Sequence, residues 1–324
     1  MFVDKFKAMD PFMAIDSRNV FSKGENVSRF LRDRLSKNEN TADVIEIMYD
    51  LQAGEYIADF ESNMQTVQLY TAEMASFLSD FIDEKDHLLD LGSGELTTLT
   101  STLNQLKAFP MTTFAIDISW SRLHMGISYF RQDLIAVPRL IPIVADIFRL
   151  PFGDKAVDIT VSSHGLEPNG QRLEALLGEI LRVTRKKIIL FEPHYENANE
   201  DGRVRMETLG YIKGIEETAA KLGARVEGVF PLMHSRNPLN PTSCFVIEPA
   251  PLSENERLPN SKAPTLKKLV QKESLEPPLT VPGTDLALYK SEGFLLSRDT
   301  GFAFPILRDI PILRLDKSFL ASKF

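Results

Sequence analysis

The sequence predicts an α/β fold: a doubly wound, mostly parallel sheet with an antiparallel edge, an N-terminal helical cap and a small C-terminal β unit. Three observations carry this. Apolar residues recur at three- and four-residue spacing up to about residue 80. From Asp86 short β-type runs alternate with helical stretches. After a Pro-rich stretch, short strands and turns return.

Residues 1–80 contain "NVSRFLRDRLS" and "TVQLYTAEMASFLSDFI", which read as amphipathic helices of the cap. Within 81–250, "HLLDL", "TTFAID", "RLIPIVA", "AVDITVSS" and "KKIILFEP" read as strands. Helices are expected between them at 95–107, 119–132 and 171–184, and after them at 203–222. "ARVEGVFPLM" and "TSCFVIEP" suit an antiparallel end of the sheet. The basic "VTRKK" is expected in the turn entering the fifth strand, as a solvated segment. Seven of the 19 prolines fall between Pro249 and Pro282, so 251–282 reads as a linker or strap. Residues 283–324 complete the chain as the small β unit.

The chain has 324 residues and 43% hydrophobic content, enough for one sizeable core with appendages. A net charge of -8 and a pI near 5.3 disfavour nucleic acid and anionic membrane as partners. The single cysteine, Cys244, leaves no intrachain disulfide and no cysteine-built zinc site, and no metal is expected. The longest apolar stretch, "LIAVPRLIPIVA", is short and carries Arg139 and two prolines, so no membrane span is expected. The N-terminus shows no signal-peptide pattern, and a cytoplasmic location is expected.

In "LLDLGSGELTTL" the first strand ends at Leu91, and Gly92 and Gly94 allow a tight turn with close backbone approach. A helix opening near Glu95 would offer its first amides there. Thr97 stands where a dinucleotide turn has its third glycine, and Glu95 disfavours a pyrophosphate while admitting a cationic or zwitterionic ligand. Asp117 ends the second strand, where a carboxylate can take both hydroxyls of a ribose. Asp146 ends the third, where it can accept from an exocyclic amine of adenine. These acids suit an adenosine whose far end carries an amine and a sulfonium.

Together "LLDLGSGELTTL", "FAIDIS", "VADIFRLPFGDKAVDITVSSHGLEP" and "ILRVTRKKIILFEP", in order within about Asp86–Pro249, resemble a class I S-adenosylmethionine-dependent methyltransferase with its Rossmann-like sheet. The resemblance implies S-adenosyl-L-methionine as cofactor. It implies Asp90, Gly92 and Gly94 at the methionine end, Asp117 with Ile118 at the ribose, and Asp146 with Ile147 at the adenine. Ser163 and His164 would lie near the transferable methyl. Many members carry a third glycine where this chain has Leu96. In related enzymes the segment before the first strand folds over the cofactor, and "IMYDLQAGEYI" offers Tyr49, Gln52 and Tyr56 for this; packing within the cap is the alternative.

"SSHGLEPNG" brings His164, Glu167 and Asn169 to the fourth strand's end, and "FEPHYEN" brings Glu192, His194, Tyr195 and Glu196 to the fifth's. His164 is the first candidate for general base, with Glu167 and His194 as further catalytic candidates. The alternative for each is loop structure or substrate orientation. Arg203 and Arg205 could face an anionic substrate or a solvated surface.

"GFLLSRDTGFAFPILRDIPILRL" resembles the C-terminal half of a small zinc-ribbon-like family of methyltransferase activators, here without cysteines. Its Phe302, Phe304, Ile306, Ile310 and Ile312 are expected to cover the core or a second subunit, which leaves a homodimer open. The expected activity is methyl transfer to an O or N atom of a small molecule such as a sugar or specialised metabolite. Methylation of tRNA or protein, and a non-catalytic scaffold, are the alternatives.

Overall fold

Helices come first in the chain, as the periodicity requires. The computed structural model describes residues 11–36, 40–235, 237–250 and 277–323. Helices α1 (Pro11–Ser22), α2 (Val27–Leu35) and α3 (Ala42–Leu51) pack Met13, Val27, Leu31, Val44 and Ile47 into a small core of their own. Asn26 and Thr41 cap α2 and α3 by accepting from the Arg29 and Val44 amides. Next come α4 (Glu55–Ser62) and α5 (Met64–Leu78), and α5 buries Tyr70, Met74 and Leu78 against the sheet.

Five parallel strands then form: β1 (His87–Leu91), β2 (Thr112–Asp117), β3 (Leu140–Ala145), β4 (Val157–Ser163) and β5 (Thr184–Pro193). Their spatial order is β3-β2-β1-β4-β5. The connecting helices are α6 (Thr97–Leu103), α7 (Trp120–Tyr129) and α8 (Leu173–Val183). Side-chain alternation sorts the apolar residues to two faces. Leu89 and Leu91 join the core beneath α8, while Leu88 joins the one beneath α5, α6 and α7. The strand order reverses between β1 and β4, which opens a crevice beyond their carboxyl ends.

Two helices, α9 (Glu200–Leu209) and α10 (Ile215–Lys221), stand where one was predicted over 203–222. Gly210 and Gly214, both at φ 70°, end the first and begin the second. Antiparallel β6 (Arg225–Pro231) and β7 (Thr242–Glu248) close this edge, with β7 against β5. Val183 of "VTRKK" ends α8 and Thr184–Lys187 open strand β5, with no turn between them. Arg185 pairs with Asp158 and Lys186 with Asp86, both acids being 1% exposed, so these cations neutralise buried carboxylates.

Residues 251–276 of the predicted linker lie outside the described residues. Past them the Thr280 amide donates to the Pro151 carbonyl at 3.0 Å, fastening the chain to the core. The tail forms β8 (Tyr289–Ser291), β9 (Phe294–Leu296), β10 (Phe302–Leu307), β11 (Ile310–Leu313) and β12 (Phe319–Leu320). Arg308 and Asp309, both at positive φ, turn β10 into β11. Strand β11 pairs parallel with β3, so the tail continues the main sheet and buries Phe304 and Ile310 in it. No helix among the described residues is long and apolar enough to cross a membrane.

Arg314, 3% exposed, ties this tail to the cap. It donates to Glu46 of α3 at 2.5 Å and to both carboxylate oxygens of Asp316. Arg314→Ala is expected to cost about 2 kcal/mol, seen as a lower urea midpoint at unchanged slope. Lys317→Ala, removing a more exposed ion pair with Glu46, should cost about 0–1 kcal/mol.

Candidate active site

The crevice forms where two loops nearly touch. Gly92, at φ +73°, follows β1, and a Cβ there would meet the Gly165 Cα at 2.6 Å. A Cβ on Gly165 would meet the Leu91 carbonyl oxygen at 2.3 Å. Only glycines allow this approach. Between the loops sits His164, itself at φ 57°, a strained conformation for a residue with a side chain.

Three cavities converge here. The first, about 770 Å³ including its open mouth, is lined by Tyr49, Gly92, Asp117, Ile118, Asp146, Ile147, Ser163, His164 and Glu167. The second, about 590 Å³, is lined by Asp90, Gly92 and Glu95. The third, about 1450 Å³ including open solvent, meets Tyr56 as well and reaches Ser163, His164 and Glu167. Tyr56 and Ser163 line all three. The sequence candidates at the ends of β1, β2, β3 and β4 are therefore brought together.

Asp117 is held by backbone: its carboxylate accepts from the Gly94 and Ser119 amides, both at 2.8 Å. Asp146 accepts from the Phe148 amide at 3.0 Å. Burial pushes the Asp90 carboxyl up to about 7, and the nearby Asp117 charge adds to this. Burial alone would lower the His164 pKa. The Glu167 carboxylate, 3.2 Å from Nδ1, more than reverses this and raises it above the ordinary 6.5. The His164 Nε2 faces the Thr242 hydroxyl at 3.0 Å. Beneath the pair lies fully buried Glu192, which burial pushes up to about 8. One of its oxygens accepts from the Ser162 hydroxyl and the Leu166 amide, anchoring the loop. Both raised carboxyls stabilise the fold fully below their ordinary values of 3.8 and 4.5, and lose that contribution as pH rises through about 7 and about 8.

Four of the residues singled out in the sequence have other surroundings. His194 lines none of these three cavities: its Nδ1 meets the Ser243 hydroxyl at 2.9 Å and its ring packs edge-on against Phe245. Arg203 and Arg205 do not line them either. They lie over the Tyr195 and Tyr211 rings. Glu95 lines the second cavity but is 1% exposed, and its carboxylate is engaged by protein. Its carboxylate accepts from the Gly54 amide at 2.9 Å and the Ile57 amide at 2.8 Å, so it caps α4, whose own N-cap is a glycine.

The residue that sequence reading missed is Arg122 of α7, 6% exposed. Its guanidinium lies 3.7 Å from Glu95, 3.9 Å from Asp117, and over the rings of Tyr49 and Tyr56 at 5.0 and 4.3 Å. Gly94 sits directly beneath it, since a Cβ there would be 2.4 Å from Nη2. Arg122 lines both the first and second cavities, and its Nε has no hydrogen-bond partner. Tyr70 was also unread. Its hydroxyl fixes the Ser163 hydroxyl at 2.8 Å. Among the described residues no group of three or more His, Cys, Asp and Glu is placed to hold a metal ion.

Glu95→Ala should leave two amides of α4 and one side of Arg122 without a partner, costing about 3 kcal/mol in urea unfolding. Glu95→Gln keeps one acceptor oxygen and should cost less. An unchanged midpoint for the alanine variant would remove Glu95 as the tie.

Residues 89–191, from β1 into β5, match a family profile described as a methyltransferase domain. Curated proteins give no match. Among solved structures, magnesium protoporphyrin IX methyltransferase from Synechocystis with bound SAH is similar at a TM-score of 0.45 and 11% identity, over 57% of this chain and 84% of that one. Geranyl diphosphate C-methyltransferase from Streptomyces coelicolor, with Mg2+, geranyl diphosphate and S-adenosyl-L-homocysteine, is similar at 0.43 and 12%, over 55% and 78%. A SAM-dependent methyltransferase from Leishmania major is similar at 0.46 and 12%, over 57% and 73%. The matched segment contains the glycine turn, the acids Asp90, Asp117 and Asp146, and the Ser163–Glu167 loop.

Proposed function

We propose that the protein is an S-adenosylmethionine-dependent methyltransferase acting on an O or N atom of a small molecule. The observation that carries this reading is the meeting of three cavities at Tyr56 and Ser163, with strand-end acids along two of them. The residues fit the cofactor. Asp117, fixed by two amides, is available to ribose hydroxyls. Ile118, Ile147 and Asp146 line the first cavity, where the isoleucines would hold the base and Asp146 could accept from its amine. Asp90, a buried carboxyl, suits the amino group, and Arg122, whose Nε has no hydrogen-bond partner among the described residues, suits the carboxylate.

The bound cofactor supplies a methyl on a sulfonium, which passes to the acceptor by in-line displacement. The protein's own part is to align the acceptor and take its proton. Ser163, held by Tyr70, marks the junction of the cavities, and the His164–Glu167 pair beside it receives the proton. His164 must be neutral to do so. Because Glu167 raises its pKa, turnover should rise with pH through a value above 6.5. Glu167→Gln should move that inflection down, and His164→Ala should lower turnover at least tenfold with cofactor affinity nearly intact.

Calorimetric titration with S-adenosylmethionine and S-adenosylhomocysteine, with NAD as control, tests the cofactor. Saturable binding of the two sulfur compounds alone is expected, and binding to none would overturn the reading. Asp117→Ala should weaken that affinity at least tenfold. Asp90 is neutral below about 7 and a carboxylate above it. A cationic ligand binds the carboxylate, so affinity should tighten as pH rises through about 7, with proton release. Asp90→Asn should flatten this dependence.

A further inference from the structure

Glu192 is a carboxyl at 0% exposure beneath the His164–Glu167 pair, and methyl transfer itself gives it no part. It stands next to last in β5, where two neighbouring residues grip the loop after β4. The Phe191 carbonyl accepts from the His164 amide at 3.0 Å. Glu192 Oε1 accepts from the Leu166 amide at 3.1 Å and lies 2.7 Å from the Ser162 hydroxyl. Residues 162 and 166 bracket His164, so this one oxygen spans the strained turn. The other oxygen, Oε2, is buried and has no hydrogen-bond partner.

The proton count at Ser162 decides what Glu192 must be. A serine hydroxyl has one hydrogen. Two oxygens lie within its reach, Glu192 Oε1 and the Leu91 carbonyl oxygen at 3.1 Å. A carboxylate offers no donor, so Ser162 would serve one oxygen and lose the other, and Oε2 would carry charge without a partner. A proton on Oε1 resolves both problems. Glu192 then donates to Ser162, Ser162 passes its own hydrogen to Leu91, and Oε2 is the carbonyl oxygen of a neutral acid. The chain Leu166–Glu192–Ser162–Leu91 joins the loop carrying His164 to the strand end before Gly92, and His164, Gly165 and Gly92 all line the first cavity.

Titratable groups face Glu192 from the loop and from α5: His164, Glu167 and Tyr70. On β7 its register partner is Ser243, next to Cys244. Burial pushes the Tyr70 hydroxyl and the Cys244 thiol up, so neither brings charge at neutral pH. Glu167 is already paired with His164, and an ionised Glu192 would set a second carboxylate against one imidazole.

Building on the methyltransferase reading, we propose that Glu192 is a positioning residue that works as a neutral acid: its proton lets Ser162 hold Leu91, and loss of that proton loosens the tie between the His164 loop and the glycine turn. Burial keeps the proton in place up to about 8. Above this the cofactor cavity loses a hydrogen bond of its frame, and cofactor affinity falls. The sign is opposite to that of Asp90, whose ionisation through about 7 favours a cationic ligand. Affinity therefore peaks between those two values.

The first measurement is carbon-13 NMR of the parent protein labelled in its glutamate side chains, with the Glu192 carboxyl assigned through its own side-chain carbons. Its resonance should be that of a protonated acid at neutral pH and should move near 8. The second is calorimetry with S-adenosylhomocysteine. Between about pH 7.5 and about pH 9 the parent should lose about three- to tenfold more affinity than Glu192→Gln, which keeps an acceptor for Leu166 and cannot ionise. A carboxylate resonance at neutral pH, or equal losses in parent and variant, overturns the inference. Failure of S-adenosylhomocysteine to bind at any pH would instead overturn the methyltransferase reading, and the carboxyl resonance would still report whether Glu192 holds its proton.

Discussion

Glu95 stands where the turn after β1 enters α6, and its carboxylate reaches from the sheet to the Gly54 and Ile57 amides that begin α4. At 1% exposure such a charge is tolerable only if its oxygens are taken up. Two charge-assisted hydrogen bonds at a helix N-terminus, where the dipole also favours negative charge, do this, and Arg122 completes the shell. The position of the cap follows from that contact. Because Glu95 caps the start of α4, Tyr56 falls at the junction of the cavities, and with Tyr49 it closes over Arg122. The Ser119 hydroxyl donating to Asp50, and Asn40 donating to the Pro168 carbonyl, secure the same cap at two other points.

The same contact sets the charge balance of the site. Arg122 is shared between Glu95 and Asp117, and Asp90 has the Asp117 carboxylate for a neighbour. Burial raises the Asp90 carboxyl, and the Asp117 charge adds to this. A ligand that brings positive charge relieves this, whereas a second anion beside Asp90 and Asp117 would add repulsion. Arg122 is the counterpart. Its guanidinium lies near two carboxylates at distances too long for close hydrogen bonds, so it keeps donors for an anionic group of the ligand. Opposite demands within one cavity suit a zwitterion.

How far the sequence discloses this depends on whether the signal is local. Strands β1 to β5 are apolar runs bounded by turn residues, and burial on both faces writes that pattern directly into them. The acids at strand ends are legible because a parallel sheet sends every such end to one edge. "VTRKK" is solvated as read, with Arg185 and Lys186 exposed, but it is not a turn, and the acids Asp86 and Asp158 that these two cations meet become their neighbours only in the sheet. Arg122 is hidden for the same reason: on α7 alone it is one polar residue of a helix, and the two tyrosines over it come from the cap. His194 shares a strand edge with the site, yet Ser243 of β7 draws its ring aside. That β11 joins β3 in parallel is also non-local, since nothing within the tail says which edge its apolar residues will meet.

Leu96 is the point at which the glycine motif departs from its usual form, and the backbone explains why the turn survives. The residue lies at φ 59° and ψ 9°, the left-handed conformation in which a glycine would be unstrained. A leucine there costs about 1–2 kcal/mol. Its side chain is fully buried among the residues beneath α5 and α7, which contributes about 1.5–3 kcal/mol. The two nearly offset, so the chain holds a glycine-like conformation with a leucine anchor. The turn's outer face is unaffected: Gly92 and Gly94 keep positive φ, and the Gly94 amide still donates to Asp117. The substitution therefore moves a core contact into the motif without closing the site, and it makes the start of α6 less free to shift than a third glycine would.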